Sequence, residues 1–441
     1  MTERERFYII LDMYIPYETI GILLSKLFKN EKLKEFFYNK KISQNLRYIE
    51  KNKPKVLKKI GKKFENGEKI NVVFYVYDST KWKCQSVYDL MNKDGRFNIK
   101  ILATKSGAIN KDNPTYQSAD DVIKTYKFFK DKGMNVEYAY DTKNEKFVPF
   151  KKFNPDIIIY QHPWYVERSQ GPVVCSEFAF TAYVPYYFPI EIEGIDKKID
   201  YYLRFHKYIE RYYALDKVVE NKLKSKMDNK GVNVIAAGYP NLDYCKDTEQ
   251  EGEFVIYAPH WTIGGLGDQY GTFEWSGKFM LEYAKSRPDI KWVFKPHPLL
   301  YKALLDTKVM NSKEAEKYYN DWAEIGIRYE SGDYLDWFKK SKMMITDSCS
   351  FLGEYFVTEK PLVLLMAETS QFKSLNHPIL RTYYCARNLD ELKKLLETLP
   401  ENDYMKETRL KALKESGLKE MNAAKNILDD IIEITGGRYA K

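Results

Sequence analysis

Short apolar segments alternate with helical segments along most of this chain, and the alternation limits its fold more than any other feature. A strand that is followed by a helix can pair with the next strand only in parallel, so the pattern predicts open parallel sheets covered on both faces. The predicted strands span residues 71–77, 97–103, 136–140, 156–160, 182–188, 232–236, 254–258, 291–294, 343–346 and 361–366, and the main helices lie near 83–93, 118–131, 274–286, 312–324, 333–341 and 351–358.

The strands form two series, and 441 residues are too many for one ordinary domain. We therefore predict an α/β protein with two Rossmann-like domains that face each other across a cleft, where a ligand binds. The predicted parts are a basic helical leader (1–68), an N-terminal acceptor domain (69–230), a C-terminal nucleotide-donor domain (231–387) and C-terminal helices (388–441), which can cross back over the first domain.

Residues 343–356 form the most informative of the strand-to-helix corners. A short strand ends at Thr346, a polar turn follows from Asp347 to Ser350, and a helix that contains Glu354 then begins. Backbone N–H groups at the start of a helix favour a phosphate. Glu354 lies seven residues after Asp347, where its carboxylate can bind ribose hydroxyls. The alternative is an ordinary capped helix of an α/β domain.

Two more polar corners follow predicted strands of the same series. One carries His260 and Thr262 ahead of a loop rich in glycine, and the other carries Lys295 and His297 between two prolines. Ligands of open parallel sheets bind at the carboxyl ends of the strands. A single histidine there is more often structural, but three polar corners within about one hundred residues favour one shared site.

A nucleoside diphosphate with a transferable group matches the chemistry of these corners. Hydroxyls and helix N–H groups stabilise the phosphate charge that grows as the leaving group departs. A bound diphosphate also raises the pKa of a nearby imidazole, so His297 is expected to become a cation when the substrate binds. The acceptor needs a general base from the other domain, and His162, which follows the strand at 156–160, is the candidate. Its alternative role is to orient the loop backbone.

Basic residues are concentrated near the amino terminus. Residues 26–63 contain fourteen Lys or Arg and three Glu, whereas the whole chain has a net charge of +9. Together with an apolar helical stripe at Ile20, Leu23, Leu24, Leu27 and Phe28, this segment fits an anionic membrane surface through residues 17–63. The alternative is a helical extension that packs on the body of the protein with solvated lysines. Nucleic acid is not expected, because no recognised binding motif accompanies the charge.

The sequence predicts neither a metal centre nor a bound cofactor. The five cysteines are widely spaced, and motifs such as D-x-D, HExxH, a P-loop or GxGxxG are absent. A Mg²⁺ held mainly by substrate phosphates would leave little trace in a sequence. No secretion signal or apolar run of about 20 residues is visible, so we expect a cytoplasmic protein.

Three motifs in this order resemble those of the CDP-glycerol glycerophosphotransferase family of teichoic-acid and capsule synthesis. They are Tyr257-Ala258-Pro259-His260-Trp261-Thr262, Lys295-Pro296-His297-Pro298, and Thr346-Asp347-Ser348-Cys349-Ser350 with Glu354. The segment from Lys360 to Val363 is also similar, and the resemblance covers about 235–370. The family's N-terminal domain carries a Trp-His-Gly motif with a proposed base, whereas this chain has Gln161-His162-Pro163-Trp164.

The resemblance implies a GT-B-like enzyme at the inner face of the cell membrane. Such enzymes transfer a polyol phosphate from a CDP-linked donor, which is a substrate and not a cofactor, to a lipid-linked or polymer hydroxyl. Donor phosphates would contact His260, Thr262, Lys295, Ser348 and Ser350, with His297 beside the transferred phosphate. Hydroxyls of the nucleotide or polyol would contact Asp347 and Glu354. The alternatives are a GT-B glycosyltransferase that uses a nucleotide sugar for capsular or surface polysaccharide, and a non-catalytic membrane-surface binding protein.

Overall fold

A computed structural model describes most of the chain. It covers residues 31–109, 116–188, 204–227, 229–244, 252–266, 270–329, 334–367, 378–399 and 401–436, with the backbone alone for 31–39. The apolar stripe that was predicted between Ile20 and Phe28 lies outside these residues.

The first domain is built on a seven-stranded parallel sheet. Its strands are β1 (Ile70–Val76), β2 (Phe97–Ala103), β3 (Val136–Tyr138), β6 (Ile157–Tyr160), β7 (Phe180–Tyr183), β8 (Arg211–Ala214) and β9 (Val234–Ala236), in the order β3-β2-β1-β6-β7-β8-β9. A two-stranded antiparallel ribbon, β4 (Tyr140–Asp141) with β5 (Lys146–Phe147), lies beside it. The helices are α1 (Glu31–Glu65), α2 (Gln85–Lys93), α3 (Ala119–Asp131), α4 (Pro172–Cys175), α5 (Arg204–Tyr208) and α6 (Lys217–Lys226).

The second domain contains a six-stranded parallel sheet. Its strands are β10 (Phe254–Ala258), β11 (Lys291–Phe294), β12 (Gly326–Arg328), β13 (Ser341–Thr346), β14 (Leu362–Leu365) and β15 (Tyr384–Ala386), in the order β12-β11-β10-β13-β14-β15. Helices α7 (Phe273–Ser286), α8 (Leu300–Asp306), α9 (Ser312–Ile325), α10 (Leu335–Lys340), α11 (Cys349–Phe356) and α12 (Leu389–Thr398) connect these strands or follow the last of them.

Covered faces explain why the central strand β1 is almost entirely apolar. The β1 sequence, INVVFYV, has six buried residues of seven and no polar alternation. One face packs on α1, α2 and the C-terminal helix α14 (Ala423–Ile434), through residues that include Val72, Phe74, Met91 and Ile427. The other face belongs to an apolar cluster that continues into the second domain. A parallel sheet buried on both faces requires this composition.

The boundary that we predicted at residue 231 is wrong for the sheet, because β9 pairs with β8 and is the edge strand of the first domain. The predicted helical segment from 197 to 228 also contains β8. This strand begins with Arg211 and Tyr212 and is too short to show a clear strand pattern. Strands of three or four residues are assigned by their pairing partners, which the local sequence does not reveal.

The C-terminal helices return to the first domain. The predicted single helix from 403 to 434 is two helices, α13 (Lys406–Ser416) and α14, because Gly417 adopts φ 65° and ends the first of them. Helix α14 then packs against α2. The two domains also meet where Phe188 lies against α11. A Cβ at Gly353 would lie 2.1 Å from the Phe188 ring, so glycine allows this close approach.

Candidate functional site

The three polar corners meet at the carboxyl edge of the second sheet. They follow β10, β11 and β13, which are neighbours with β10 in the centre. The backbone N–H of His297 donates to the carbonyl of Pro259 at 2.9 Å, and the N–H of His260 donates to Asp347 Oδ1 at 2.6 Å. The structure therefore brings His260, Thr262, Lys295, His297 and Ser348 to one place.

Asp347 connects the corner that follows β10 with the corner that follows β13. It is fully buried, and its second oxygen accepts from the N–H and the hydroxyl of Thr272, at 2.6 and 2.9 Å. Burial raises the pKa of Asp347 to about 6, although these donors oppose the shift. Thr272 precedes α7, so one carboxyl group fixes both ends of the glycine-containing loop. Its oxygens are occupied here, and hydroxyl binding by Asp347 stays a prediction.

Thr262 sets the tautomer of His260. The Thr262 hydroxyl oxygen accepts from the N–H groups of Tyr270 and Gly271, at 3.0 and 3.2 Å, and lies 2.8 Å from His260 Nδ1. Its lone pairs are thus used, so its proton is directed to Nδ1 and the imidazole proton is assigned to Nε2. Burial lowers the pKa of His260 to about 3, with a smaller effect of His297. His260 is therefore a neutral N–H donor.

His297 has the same arrangement. Its Nδ1 accepts from the N–H of Leu299 at 3.1 Å, which assigns the imidazole proton to Nε2. Its ring centroid lies 5.0 Å from that of His260. Burial lowers the pKa of His297 to about 4, and repulsion from Lys295 and Lys81 contributes a smaller part of the same shift. The imidazole is thus neutral in the free protein, and the predicted cation requires a bound diphosphate that raises this pKa.

Lys295 brings a buried positive charge to the same corner. Its ammonium lies 4.3 Å from the ring centroid of Phe351, 4.9 Å from that of Tyr334 and 5.6 Å from that of Tyr329. Burial lowers its pKa to about 8, Lys83 contributes to the same shift, and Glu354 opposes it. Aromatic faces stabilise a cation only partly. An anion at this place would restore the ordinary pKa of Lys295.

The amino end of α11 supplies further donors. Ser348 is the N-cap residue, but its side chain makes no capping hydrogen bond. Its own N–H donates to the hydroxyl of Thr346 at 3.0 Å. Ser348 is buried and Ser350 is exposed. The Ser348 hydroxyl is therefore available to a phosphate, which the amino end of a helix also favours.

Glu354 contacts residues outside its own domain. Its carboxylate accepts from Asn241 Nδ2 at 3.0 Å and from the Tyr334 hydroxyl at 2.5 Å, and Lys83 Nζ lies 3.8 Å away. Lys83 belongs to the loop after β1 in the first domain, and it also donates to the Tyr334 hydroxyl. Glu354 is buried among these partners, and hydroxyl binding by Glu354 stays a prediction.

His162 lies on the first domain's side of the cleft but is buried. Its ring stacks on that of Tyr77, with centroids 4.1 Å apart, and neither nitrogen bonds to any residue that the structure describes. Burial lowers its pKa well below the ordinary value, and Lys81 adds to the shift. As a base, His162 would need Tyr77 to move aside, so this role also stays a prediction.

The sequence did not lead us to Lys81 and Lys83, two positively charged residues of the first domain that lie near the site. Lys81 acts electrostatically on both His162 and His297, and its ammonium lies 5.5 Å from the Tyr77 ring centroid. Both lysines follow β1 at its carboxyl end. The rule that we applied to the second sheet could have identified them in the first.

The assembled site is a polar, cationic pocket between two domains. It offers two neutral imidazole donors, a buried ammonium and the amino end of a helix, which together suit a phosphate or diphosphate. A cavity of about 780 Å³ borders the same glycine-containing loop and is lined by Thr262, Trp275 and Arg387. The described residues contain no group of three His, Cys, Asp or Glu side chains that could bind a metal ion.

Solved structures share this fold. UDP-GlcNAc 2-epimerase from Neisseria meningitidis, bound to UDP-GlcNAc, is 14% identical with a TM-score of 0.55, and the match covers 83% of this chain and all (100%) of that one. The S. aureus MnaA–UDP complex is 12% identical with a TM-score of 0.52, over 82% and 96% of the two chains. A histidine-to-alanine form of the wall teichoic acid polymerase TagF is 12% identical with a TM-score of 0.53, over 89% and 98%.

These similarities confirm the predicted GT-B-like fold of two Rossmann-like domains. No protein-family model matches the sequence, and no curated protein matches it significantly.

Proposed function

We propose that this protein is a transferase that moves glycerol phosphate, or a related polyol phosphate, from a CDP-linked donor to a hydroxyl of a lipid-linked or polymer acceptor. The product would be a teichoic-acid-like or capsular cell-surface polymer. The observation that carries the proposal is the meeting of His260, His297, Lys295 and the start of α11 at one sheet edge. The polymerase among the structural neighbours supports it.

The transfer needs one P–O bond to form and one to break. The acceptor oxygen attacks the phosphorus that carries the polyol, the bond to the bridging oxygen breaks, and CMP leaves with the electron pair. Negative charge therefore grows on the CMP phosphate, where donors aimed in advance stabilise it. The Nε2–H groups of His260 and His297, together with Lys295, would supply these donors.

The proton of the acceptor hydroxyl needs a base on the opposite side. His162 would accept it at a ring nitrogen, because it is the histidine at the carboxyl edge of the first sheet. Its low pKa weakens it as a base while it is buried. Exposure to the cleft, with movement of Tyr77, would remove part of the burial that causes the shift.

A glycosyltransferase that uses a nucleotide sugar is the second candidate. It is supported by the two structural neighbours that contain UDP-GlcNAc or UDP. Both candidates share the diphosphate site and differ in the nucleoside and in the transferred group. A non-catalytic protein that retains the fold is the third candidate.

Thermal unfolding with nucleotide ligands tests the choice among the three. We expect CDP-glycerol or CDP-ribitol to stabilise the protein by about 2.7 kcal/mol at one hundred times its Kd. UDP- and GDP-sugars should have a much smaller effect at the same concentration. Replacement of Lys295 by methionine should reduce the stabilisation, because it removes the buried ammonium. A response to UDP-sugars alone would favour the glycosyltransferase, and no response to any nucleotide would favour the non-catalytic protein.

The proposed place of action is the inner face of the cell membrane. Helix α1 buries an apolar side, which includes Ile49, Val56 and Ile60, against the first domain. Its opposite side exposes a row of basic residues, Lys40, Arg47, Lys51, Lys55, Lys58 and Lys62. In the described residues no helix is long and apolar enough to cross a bilayer. The exposed row supports attachment to anionic lipid by charge.

Replacement of Lys51, Lys55 and Lys58 by glutamine is expected to weaken binding to anionic vesicles about 100-fold, at ~1 kcal/mol per basic residue. Flotation with phosphatidylglycerol vesicles at low salt measures the effect. The matched control replaces the exposed Lys302, Lys317 and Lys411, which changes the net charge equally. Equal loss in both triple variants would show a general charge effect and contradict the proposed surface.

A further inference from the structure

The first domain contains a cavity of about 280 Å³ beside the candidate site. It lies between the loop that follows β1 and the first turns of α3, at the carboxyl edge of the first sheet. Pockets that enclose drug-sized ligands measure about 300–1,000 Å³. The cavity thus has room for one small group, and a lipid chain would not fit.

Hydroxyl groups dominate the wall of this cavity. Those of Ser79, Tyr116 and Thr125 form no hydrogen bond with any other residue in the described part of the chain. Thr125 is 3% exposed, so little of its side chain apart from the part that faces the cavity is open to solvent. A polar molecule in the cavity could therefore form hydrogen bonds with these three hydroxyls without displacing a protein partner.

The charges on the wall cancel in pairs. Asp78 lies 3.3 Å from Lys81, and Asp121 lies 3.3 Å from Lys124. The same carboxylates accept hydrogen bonds from Thr80 and Ser118. Lys105, which is not part of the wall, places its ammonium 5.2 Å from the Tyr116 ring centroid. The described residues of the wall therefore carry no net charge that would select a phosphate.

Two wall residues connect the cavity with the catalytic side of the cleft. Tyr77 stacks on His162, and Lys81 is close enough to influence both His162 and His297. A molecule in the cavity would consequently contact Tyr77, the residue whose ring packs on the proposed base.

From this position and this wall we infer that the cavity is the acceptor subsite, and that it takes an uncharged, hydroxyl-rich terminus such as a polyol or a sugar. The inference rests on the proposed transferase function and adds to it the chemical class of the acceptor end. Hydroxyls that both donate and accept, together with the rings of Tyr77 and Tyr116, match such a group.

Saturation-transfer NMR with free polyols tests the inference without any donor. The probes are ribitol, glycerol and methyl glucoside, with glycerol 3-phosphate as the charged comparison. We expect the protein to bind at least one neutral probe. Replacement of Ser79 by alanine together with Tyr116 by phenylalanine should weaken that binding about 30-fold, the loss of two hydrogen bonds. Thr125→Val, which keeps the shape of the side chain, should weaken it several-fold.

The matched control is Ser225→Ala with Tyr404→Phe, since both residues are exposed and lie outside the cavity. Unchanged binding in the cavity variant, binding of no neutral probe, or preference for glycerol 3-phosphate would overturn the inference. Stabilisation by CDP-glycerol is measured on the same variants. If that stabilisation is normal while the polyol result is negative, only the inference fails; if no nucleotide stabilises the protein but polyol binding depends on the cavity, only the proposed function fails.

Discussion

Replacement of His297 by alanine is expected to reduce the rate of transfer by about 10²- to 10³-fold, the usual effect of removing one donor from an oxyanion site. The reason is that Nδ1 of His297 is occupied by the N–H of Leu299, which leaves Nε2–H to bind the phosphate that gains charge. The fold should remain intact, because the variant loses one backbone-to-imidazole hydrogen bond, worth about 1 kcal/mol, and the ring contacts with His260 and Trp261 at a partly exposed position. The measurements are kcat with saturating donor and the thermal unfolding midpoint.

The glutamine variant of His297 separates a neutral donor from an obligatory cation. Glutamine places an N–H near the position of Nε2 but cannot become charged, and we expect about tenfold more activity than with alanine. Lys302→Ala is the control, because this exposed lysine lies in the same segment and pairs with Asp306. Turnover near that of the wild type in His297→Ala would contradict the proposed mechanism. Equal activity of the glutamine and alanine variants would instead indicate that a cation is required.

Replacement of Asp347 by alanine is expected to lower both stability and activity. The backbone N–H groups of His260 and Thr272 would lose their acceptor in a fully buried place, at about 1–3 kcal/mol each. We therefore expect a loss of at least about 2 kcal/mol in the free energy of unfolding. The loop that positions His260 and Thr262 would also lose its connection to β13, and transfer should fall about 100-fold. Urea unfolding and steady-state kinetics measure the two effects.

Asparagine at position 347 is expected to give an intermediate result. It keeps one acceptor oxygen but turns an NH₂ group toward a backbone N–H. The free energy of unfolding should therefore decrease in the order Asp, Asn, Ala at position 347. The matched control is Asp336→Ala, since that carboxylate is exposed and lies 3.9 Å from Lys339. Exposed pairs contribute about 0–1 kcal/mol. An Asp347→Ala protein as stable as this control would show that the buried carboxyl group does not hold the corners together.

Several features of the fold could be predicted because they depend on local sequence. The strands at 97–103, 254–258 and 291–294 have the predicted bounds. The latter two contain apolar runs that end in polar turns, whereas Asn98 and Lys100 alternate with apolar residues in the first. The same rule placed His260, His297 and Ser348 at one edge, because parallel neighbouring strands bring their carboxyl ends together. Short elements such as β8 and β9 carry no comparable signal, and pairing alone assigned them.

The partners of the site residues could not be predicted, because they come from distant parts of the chain. The sequence by itself determined two parallel α/β sheets and the polar ends of their strands, through the periodicity and length of the apolar runs. Only the tertiary structure decided that Lys83 reaches Glu354, that His162 is buried against Tyr77 and that Asp347 binds the backbone of two other loops. Hydrogen bonds and burial depend on which atoms meet in space, and contacts between residues 75 to 271 positions apart leave no trace in local composition.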